Sequence, residues 1–384
     1  MKIPYGKQYL DKKDYKHVVN SLKKPLLSGG IFIEKFENKI SKFLKVKNVV
    51  ACSSGTAALH MSFHSINLCE GDVVVMPAIN FISSYNIAKL FKAKIFLADV
   101  NPLSGQMTPE TLVECIKKNK LKKIKAIVTM YLGGNVIDLK KFYDLKKKYK
   151  AFLIEDACHA FGSKYKFNNK LLKIGSCYHS DICIFSFHPL KAFTTGEGGA
   201  VTTNDKKIYQ NLKLFRSHGI KRDKKKYWEY DVVKNGLNYR ISDINCSLGI
   251  SQLNKINNFL SKRKKIAKSY IEKIKEYSSI KLPEIKNITL NSWHLFIISI
   301  DFKKFKVDKD FFFNWMNSFN IYPQYHYIPI YKFSIYEGNK LNFKGSEFYY
   351  RNSISLPIYY RLTLTEQKKI LNRLKFFCDL YEKK

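Results

Sequence analysis

Residues 126–155 read AIVTMYLGGNVIDLKKFYDLKKKYKAFLIE, and this stretch decides the fold class. Ala126–Tyr131 reads as a strand, Leu139–Tyr149 as a helix and Phe152–Glu155 as a strand again. The same rhythm extends upstream. Val49–Cys52, Val73–Met76 and Lys94–Ala98 read as strands, and Thr56–Ile66, Ser83–Leu90 and Pro109–Lys118 as the helices between them. Strands alternating with helices predict an α/β fold whose mainly parallel sheet is covered on both faces.

Downstream the rhythm changes. Ile182–Ser186 and Gly199–Thr203 are short strands flanking a Gly-rich turn, and a lysine-rich helical region follows over roughly Ile241–Tyr277. The remainder carries apolar runs such as Trp293–Ile300 and ends in a helix, Thr365–Tyr381. The chain therefore divides into a large α/β domain, 1–250, and a smaller α+β C-terminal domain, 251–384.

Composition narrows the function classes. The chain has 384 residues, 45% of them apolar and 15% aromatic, which excludes intrinsic disorder. No apolar run reaches the roughly 18 residues needed to span a bilayer. The opening MKIPYGKQYLDKKDYKH lacks the apolar core of an export signal, so the expected location is the cytoplasm. The formal net charge of +37 invites a basic nucleic-acid or membrane-surface module. Only seven of the 68 cations are arginine, however, the preferred fork for phosphates and base edges. The lysines are spread along the chain, as in Lys117–Lys118, Lys122–Lys123 and Lys146–Lys148, and read as solvated helix faces. Neither a nucleic-acid nor a membrane partner is expected, whereas an anionic small substrate would benefit from the field. None of the eight cysteines forms a C-x-x-C pair or stands at zinc spacing from histidines. They read as reduced, mostly buried thiols, and no metal is expected.

Four segments can carry chemistry. Cys52-Ser53-Ser54-Gly55-Thr56 joins a strand to a helix, and helix-start amides there would hold an anion; an N-cap serine with a turn glycine is the competing reading. Glu155-Asp156-Ala157-Cys158-His159 closes a strand at the carboxyl edge of the sheet, where open α/β sheets bind ligands. A carboxylate there can pair with a protonated ring nitrogen, or merely cap a turn. Ser186-Phe187-His188-Pro189-Leu190-Lys191, followed by Thr194-Thr195-Gly196-Glu197-Gly198-Gly199, puts one lysine between a strand and a glycine turn, away from the solvated lysine faces. A desolvated lysine of lowered pKa forms Schiff bases. Gly236-Leu237-Asn238-Tyr239-Arg240 crowds polar side chains into a loop before a helix that Ser242 would cap.

Read in order, SSGTAAL, PAINF, EDACHAFG, SFHPLK with TTGEGGA, FRSHG, GLNYRISDINCSLGISQL, HYIPIY and SLPIYY resemble the DegT/StrS family of sugar aminotransferases along nearly the whole chain, with the acid 35 residues before the lysine. That family implies a fold-type I transferase dependent on pyridoxal 5'-phosphate (PLP), aspartate aminotransferase-like. The resemblance gives Lys191 the role of holding PLP and shuttling the proton, and Asp156 that of keeping the pyridine nitrogen protonated. His159 would lie near the ring, Phe81 would stack on its face, and Gly55, Thr56 and Ser186 would cradle the phosphate. Asn238 would reach the phosphate of the neighbouring subunit, implying a homodimer with shared sites. Asn80, where relatives often have Thr, takes no role. SFHPLKAFTTGEGG, FRSHGI, QYHYIPIY and ISLPIYY are most similar to family members of the pseudaminic-acid pathway. Those imply L-glutamate as donor and C4 of a UDP-linked 4-keto-6-deoxy-N-acetylhexosamine as acceptor, giving UDP-4-amino-4,6-dideoxy-N-acetyl-β-L-altrosamine. Other members take dTDP- or GDP-sugars, or act at C3.

Overall fold

The computed structural model describes residues 2–381 apart from 137, 224, 227, 283, 284, 286 and 339–341. The outer ends of both expected domains, residues 1 and 382–384, thus lie outside the described residues.

Seven strands form the central sheet, in the spatial order Asn48–Cys52, Gly199–Thr203, Ile182–Ser186, Phe152–Asp156, Ala126–Met130, Val73–Pro77, Lys94–Ala98. Gly199–Thr203 runs antiparallel to both of its neighbours, and the other pairings are parallel. Successive side chains point to opposite faces, and both faces are apolar. Val50, Val74, Val128, Ile154, Ile184 and Val201 meet the helices Gly55–Ser65, Ser83–Leu90 and Lys206–Arg216 on one side. Val49, Ala51, Phe185 and Ala200 face Ile31–Leu44 and Asp243–Asn254 on the other, where Val75, Ile127 and Leu153 face Pro109–Lys118 and Leu139–Tyr149. The strand–helix alternation read from the sequence is this layer, with element ends moved by a residue or so.

The helical region expected over Ile241–Tyr277 is two helices, Asp243–Asn254 and Ile256–Ile274. The break is at Lys255, where no Gly or Pro announces it. The Lys255 ammonium is held by Asp14 at 2.6 Å and Asp11 at 2.9 Å. Gln252 donates to Asp14 and to the Tyr9 carbonyl, so the turn is fixed by the N-terminal segment. That segment includes the helix Lys12–Leu22, whose Asp11/Asp14 capping box gives a local start signal.

A second core lies around the three-stranded antiparallel sheet Ile280–Lys281, Phe296–Ile300, Ser353–Leu356, covered by Ile256–Ile274, Lys309–Ser318 and Leu364–Tyr381. Ile3 joins it from the other end of the chain, through a short parallel pairing of Ile3–Pro4 with Ile321–Tyr322. A small cluster of Ile79, Met130, Leu132, Leu295, Ile297 and Tyr349 connects the two cores and lies beside the carboxyl edge of the large sheet. No helix among the described residues is long and apolar enough to cross a membrane.

Candidate active site

The carboxyl ends of the parallel strands converge on one cavity of about 410 Å³. Ser54, Gly55 and Thr56 enter it from beyond Asn48–Cys52, Phe81 and Ser83 from beyond Val73–Pro77, and Met130, Asp156 and Ser186 from strand ends. Lys191 reaches it from the loop after Ile182–Ser186. Seven of the eight residues singled out above therefore share one space: Gly55, Thr56, Phe81, Asp156, His159, Ser186 and Lys191.

Lys191 is placed by a loop held at both ends. Phe187 donates from its backbone to the Gly198 carbonyl at 2.8 Å, and Thr195 donates to the Phe187 carbonyl at 3.1 Å. Phe187 and Phe193, their rings 4.7 Å apart, are buried against Phe36 and Phe161. Two buried aromatics thus straddle the lysine and leave it little freedom. Burial pulls the Lys191 pKa down, against the opposing pull of Cys158 and Asp156. Asp156 is buried, and burial pushes its carboxyl up, against the Cys158 thiol and backbone N–H, which donate to it, and the Lys191 charge. A cationic ring nitrogen beside this carboxylate would favour its charged form.

The anion end of the cavity is built on the helix Gly55–Ser65. Ser54 caps it, its hydroxyl accepting from the Ala57 N–H at 3.0 Å. Among the described residues the Gly55 and Thr56 amides have no protein acceptor, and they sit where the helix dipole is positive. A Cβ on Gly55 would lie 2.9 Å from the Ser186 Cβ, so only glycine lets the helix start approach that strand end. Two amides without an acceptor among the described residues, the Ser186 hydroxyl, one partly buried lysine and one buried carboxylate fit PLP in donor set and in charge.

His159 is buried in the wall. Its Nε2 is 3.0 Å from the Tyr327 hydroxyl, and its Nδ1 accepts from the Gly133 N–H at 3.4 Å. Gly134, at φ +92, lies so close that a Cβ would stand 2.8 Å from the His159 carbonyl oxygen. The His294 ring packs 4.2 Å from that of His159. Burial holds His159 and His294 well below the usual histidine range and His326 at about 3, which favours the neutral ring in each. The half-exposed Phe81 ring is 5.7 Å from that of Tyr327.

Tyr5, His294, His326 and Tyr327 complete the wall and carried no role in the sequence reading. They come from the chain's start and from the C-terminal part of the chain, Tyr5 and Tyr327 packing against the cluster that connects the two cores. The segment before His294 is clamped by buried Arg263, whose guanidinium donates to the carbonyls of Trp293, His294 and Ile358 at 2.8–3.2 Å. The run QYHYIPIY, residues 324–331, held the available signal for two of them. Asn238 stands apart. It is exposed, its side chain accepts from the Arg240 N–H at 3.4 Å, and it does not line this chain's own cavity.

Residues 8–375 match the model of the DegT/DnrJ/EryC1/StrS aminotransferase family. The chain belongs to that family. It is a PLP-dependent aminotransferase. It is 34% identical over 377 residues to the UDP-4-amino-4,6-dideoxy-N-acetyl-β-L-altrosamine transaminase of Campylobacter jejuni, covering 97% of this chain and 96% of that one. It is 33% identical over 298 residues to the GDP-perosamine synthase of Escherichia coli O157:H7, covering 77% of this chain and 78% of that one. Among solved structures, Helicobacter pylori PseC, an aminotransferase involved in pseudoaminic acid biosynthesis, superposes with a TM-score of 0.90 at 28% identity, over 99% of this chain and 100% of that one. The PLP-dependent α/β transferase fold with a large, mainly parallel sheet that the motifs led one to expect is the one present.

Proposed function

We propose that the enzyme moves the amino group of L-glutamate to C4 of a UDP-linked 4-keto-6-deoxy-N-acetylhexosamine, giving UDP-4-amino-4,6-dideoxy-N-acetyl-β-L-altrosamine for pseudaminic acid biosynthesis in the cytoplasm. The observation that carries the chemistry is Lys191 and Asp156 facing one cavity across from the capped helix start at Gly55. The near full-length similarity to the Campylobacter transaminase supports the substrate.

Bound PLP supplies an electron sink for breaking and remaking a C–H bond beside nitrogen. The chain's residues provide the rest. Lys191 Nζ, its pKa lowered by burial, takes up a proton and returns it in the same cavity. The Asp156 carboxylate would accept a hydrogen bond from a protonated ring nitrogen and so keep the proton there. The Gly55 and Thr56 amides and the Ser186 hydroxyl would hold the phosphate, with Phe81 and His159 beside the ring. The excess of lysines raises the local concentration of an anionic nucleotide-sugar.

The active unit in this reading is a homodimer in which Asn238 completes the partner's phosphate site. Asn238 being exposed and away from its own cavity supports this. So does an apolar face: Tyr15, Val19 and Leu22 recur at helical spacing and are about half exposed, followed by exposed Leu26, Leu27 and Ile31. Leu253 and Ile256, by contrast, pack into the chain's own core and are not free for a partner.

A GDP-linked 4-ketosugar is the competing acceptor, favoured by the similarity to the GDP-perosamine synthase. A panel of UDP-, dTDP- and GDP-linked 4-ketosugars with glutamate separates the two. The proposal requires the highest kcat/KM on the UDP-linked N-acetylated acceptor, and a preference for the GDP sugar would replace it.

A further inference from the structure

The Gly133 backbone nitrogen can only donate, so its contact with His159 Nδ1 makes that atom an acceptor without a hydrogen. His159 is neutral, and its single ring hydrogen must then be on Nε2, pointing at the Tyr327 hydroxyl 3.0 Å away. The Tyr327 oxygen accepts that hydrogen, and among the described residues its own O–H has no further acceptor at the cavity wall that it lines. Other contacts hold the pair in place. Tyr327 follows His326, whose Nδ1 is 2.9 Å from the Ser355 hydroxyl and whose carbonyl accepts from Tyr349 at 2.8 Å. On the other side of His159, Ser292 donates to its carbonyl at 2.9 Å. The imidazole is therefore set on one side by Gly133 and on the other by Tyr327, which packs against the cluster connecting the two cores.

We propose that Tyr327 is a positioning residue of the amino-transfer site: its hydroxyl fixes the plane of the His159 ring, whose tautomer Gly133 sets, and through His159 sets how tightly the cavity holds PLP. This rests on the reading that His159 faces the cofactor. The phenol links the cluster between the two cores to the cofactor wall by one hydrogen bond, at a residue more than 160 positions from the histidine it orients.

The test uses the full chain stripped of cofactor and titrated with PLP, with Tyr327→Phe, His159→Asn and the double variant. Tyr327→Phe is expected to raise the PLP dissociation constant about tenfold, the size of leaving one buried polar group unpaired. In the double variant the Tyr327→Phe effect should vanish, because its target is gone. Histidine-selective 15N NMR of the cofactor-free protein gives a readout independent of any reaction. His159, assigned by its loss in His159→Asn, should carry its hydrogen on Nε2 in the parent chain and in Tyr327→Phe alike, with the Nε2 resonance shifted in the variant by loss of its hydrogen-bond acceptor. A parent chain with hydrogen on Nδ1 overturns the inference without any variant. Additive effects of the two substitutions, or an unchanged affinity in Tyr327→Phe beside a weakened one in His159→Asn, also overturn it, while leaving the cofactor reading intact. An unchanged affinity in His159→Asn removes the reading of His159, and the inference with it.

Discussion

Replacing Gly55 by alanine puts one methyl group at the tightest point of the cavity wall. The new Cβ would stand 2.9 Å from the Ser186 Cβ and 3.4 Å from the Cys158 Sγ. Carbon pairs rest at about 3.5–4.0 Å, so the helix start must retreat from the strand end by about 0.6–1 Å. Ser186 cannot yield easily, because its strand is paired on both sides, with Gly199 opposite Ser186 itself. Overpacking of this kind costs about 1–3 kcal/mol, and the better helix propensity of alanine returns up to about 1 kcal/mol. Fold stability should therefore fall only slightly. The anion site should suffer more. A donor moved by about 0.6 Å leaves hydrogen-bonding range, and a bond to a charged group is worth about 1.5–3 kcal/mol. Gly55→Ala should thus weaken PLP about 10- to 100-fold while the cofactor-free protein melts within a few degrees of the parent. Fluorescence titration with PLP and thermal unfolding without it read the two effects separately. Parental PLP affinity in a folded Gly55→Ala protein would refute the placement of the phosphate at this helix start.

Three further outcomes are expected. Lys191→Ala should lose both turnover and the visible absorbance of bound PLP, and a variant that keeps full activity removes the lysine from its role. Asp156→Asn should fold as the parent does, by circular dichroism, yet lose glutamate half-reaction turnover by several orders of magnitude, since an amide cannot stabilise a ring cation; an unchanged rate counts against the pairing. Mixing inactive Lys191→Ala and inactive Asn238→Asp proteins under subunit exchange should restore activity, because one site of the heterodimer then carries both lesions and the other none. Exchange shown by mass, with no recovered activity, rejects the shared site.

The large sheet was legible because each strand and helix from 49 to 155 carries its own pattern, and the nearby motifs end at the same sheet edge. Asp156 and Lys191 stand at such ends, so a topological rule already brought them together. The far wall was not legible in the same way. Tyr5, His294, His326 and Tyr327 meet the site only through tertiary packing between the two cores, and a histidine beside a tryptophan at 293–294 reads as core until Arg263 is seen clamping its backbone. The helix break at Lys255 was hidden for a related reason. Its cause is an ion pair with Asp14 and Asp11 about 240 residues earlier, not a local breaker.

The most direct test of the proposed reaction is to follow the amino nitrogen itself. The purified enzyme is incubated with PLP, 15N-labelled L-glutamate and the UDP-linked 4-keto-6-deoxy-N-acetylhexosamine, and the sugar product is analysed by NMR and mass. The account predicts one 15N atom bonded to C4 of a UDP-linked 4,6-dideoxy sugar of β-L-altro configuration, with 2-oxoglutarate formed in equal amount. Label at C3, no label in the sugar, or transfer only to a GDP- or dTDP-linked ketosugar would contradict it.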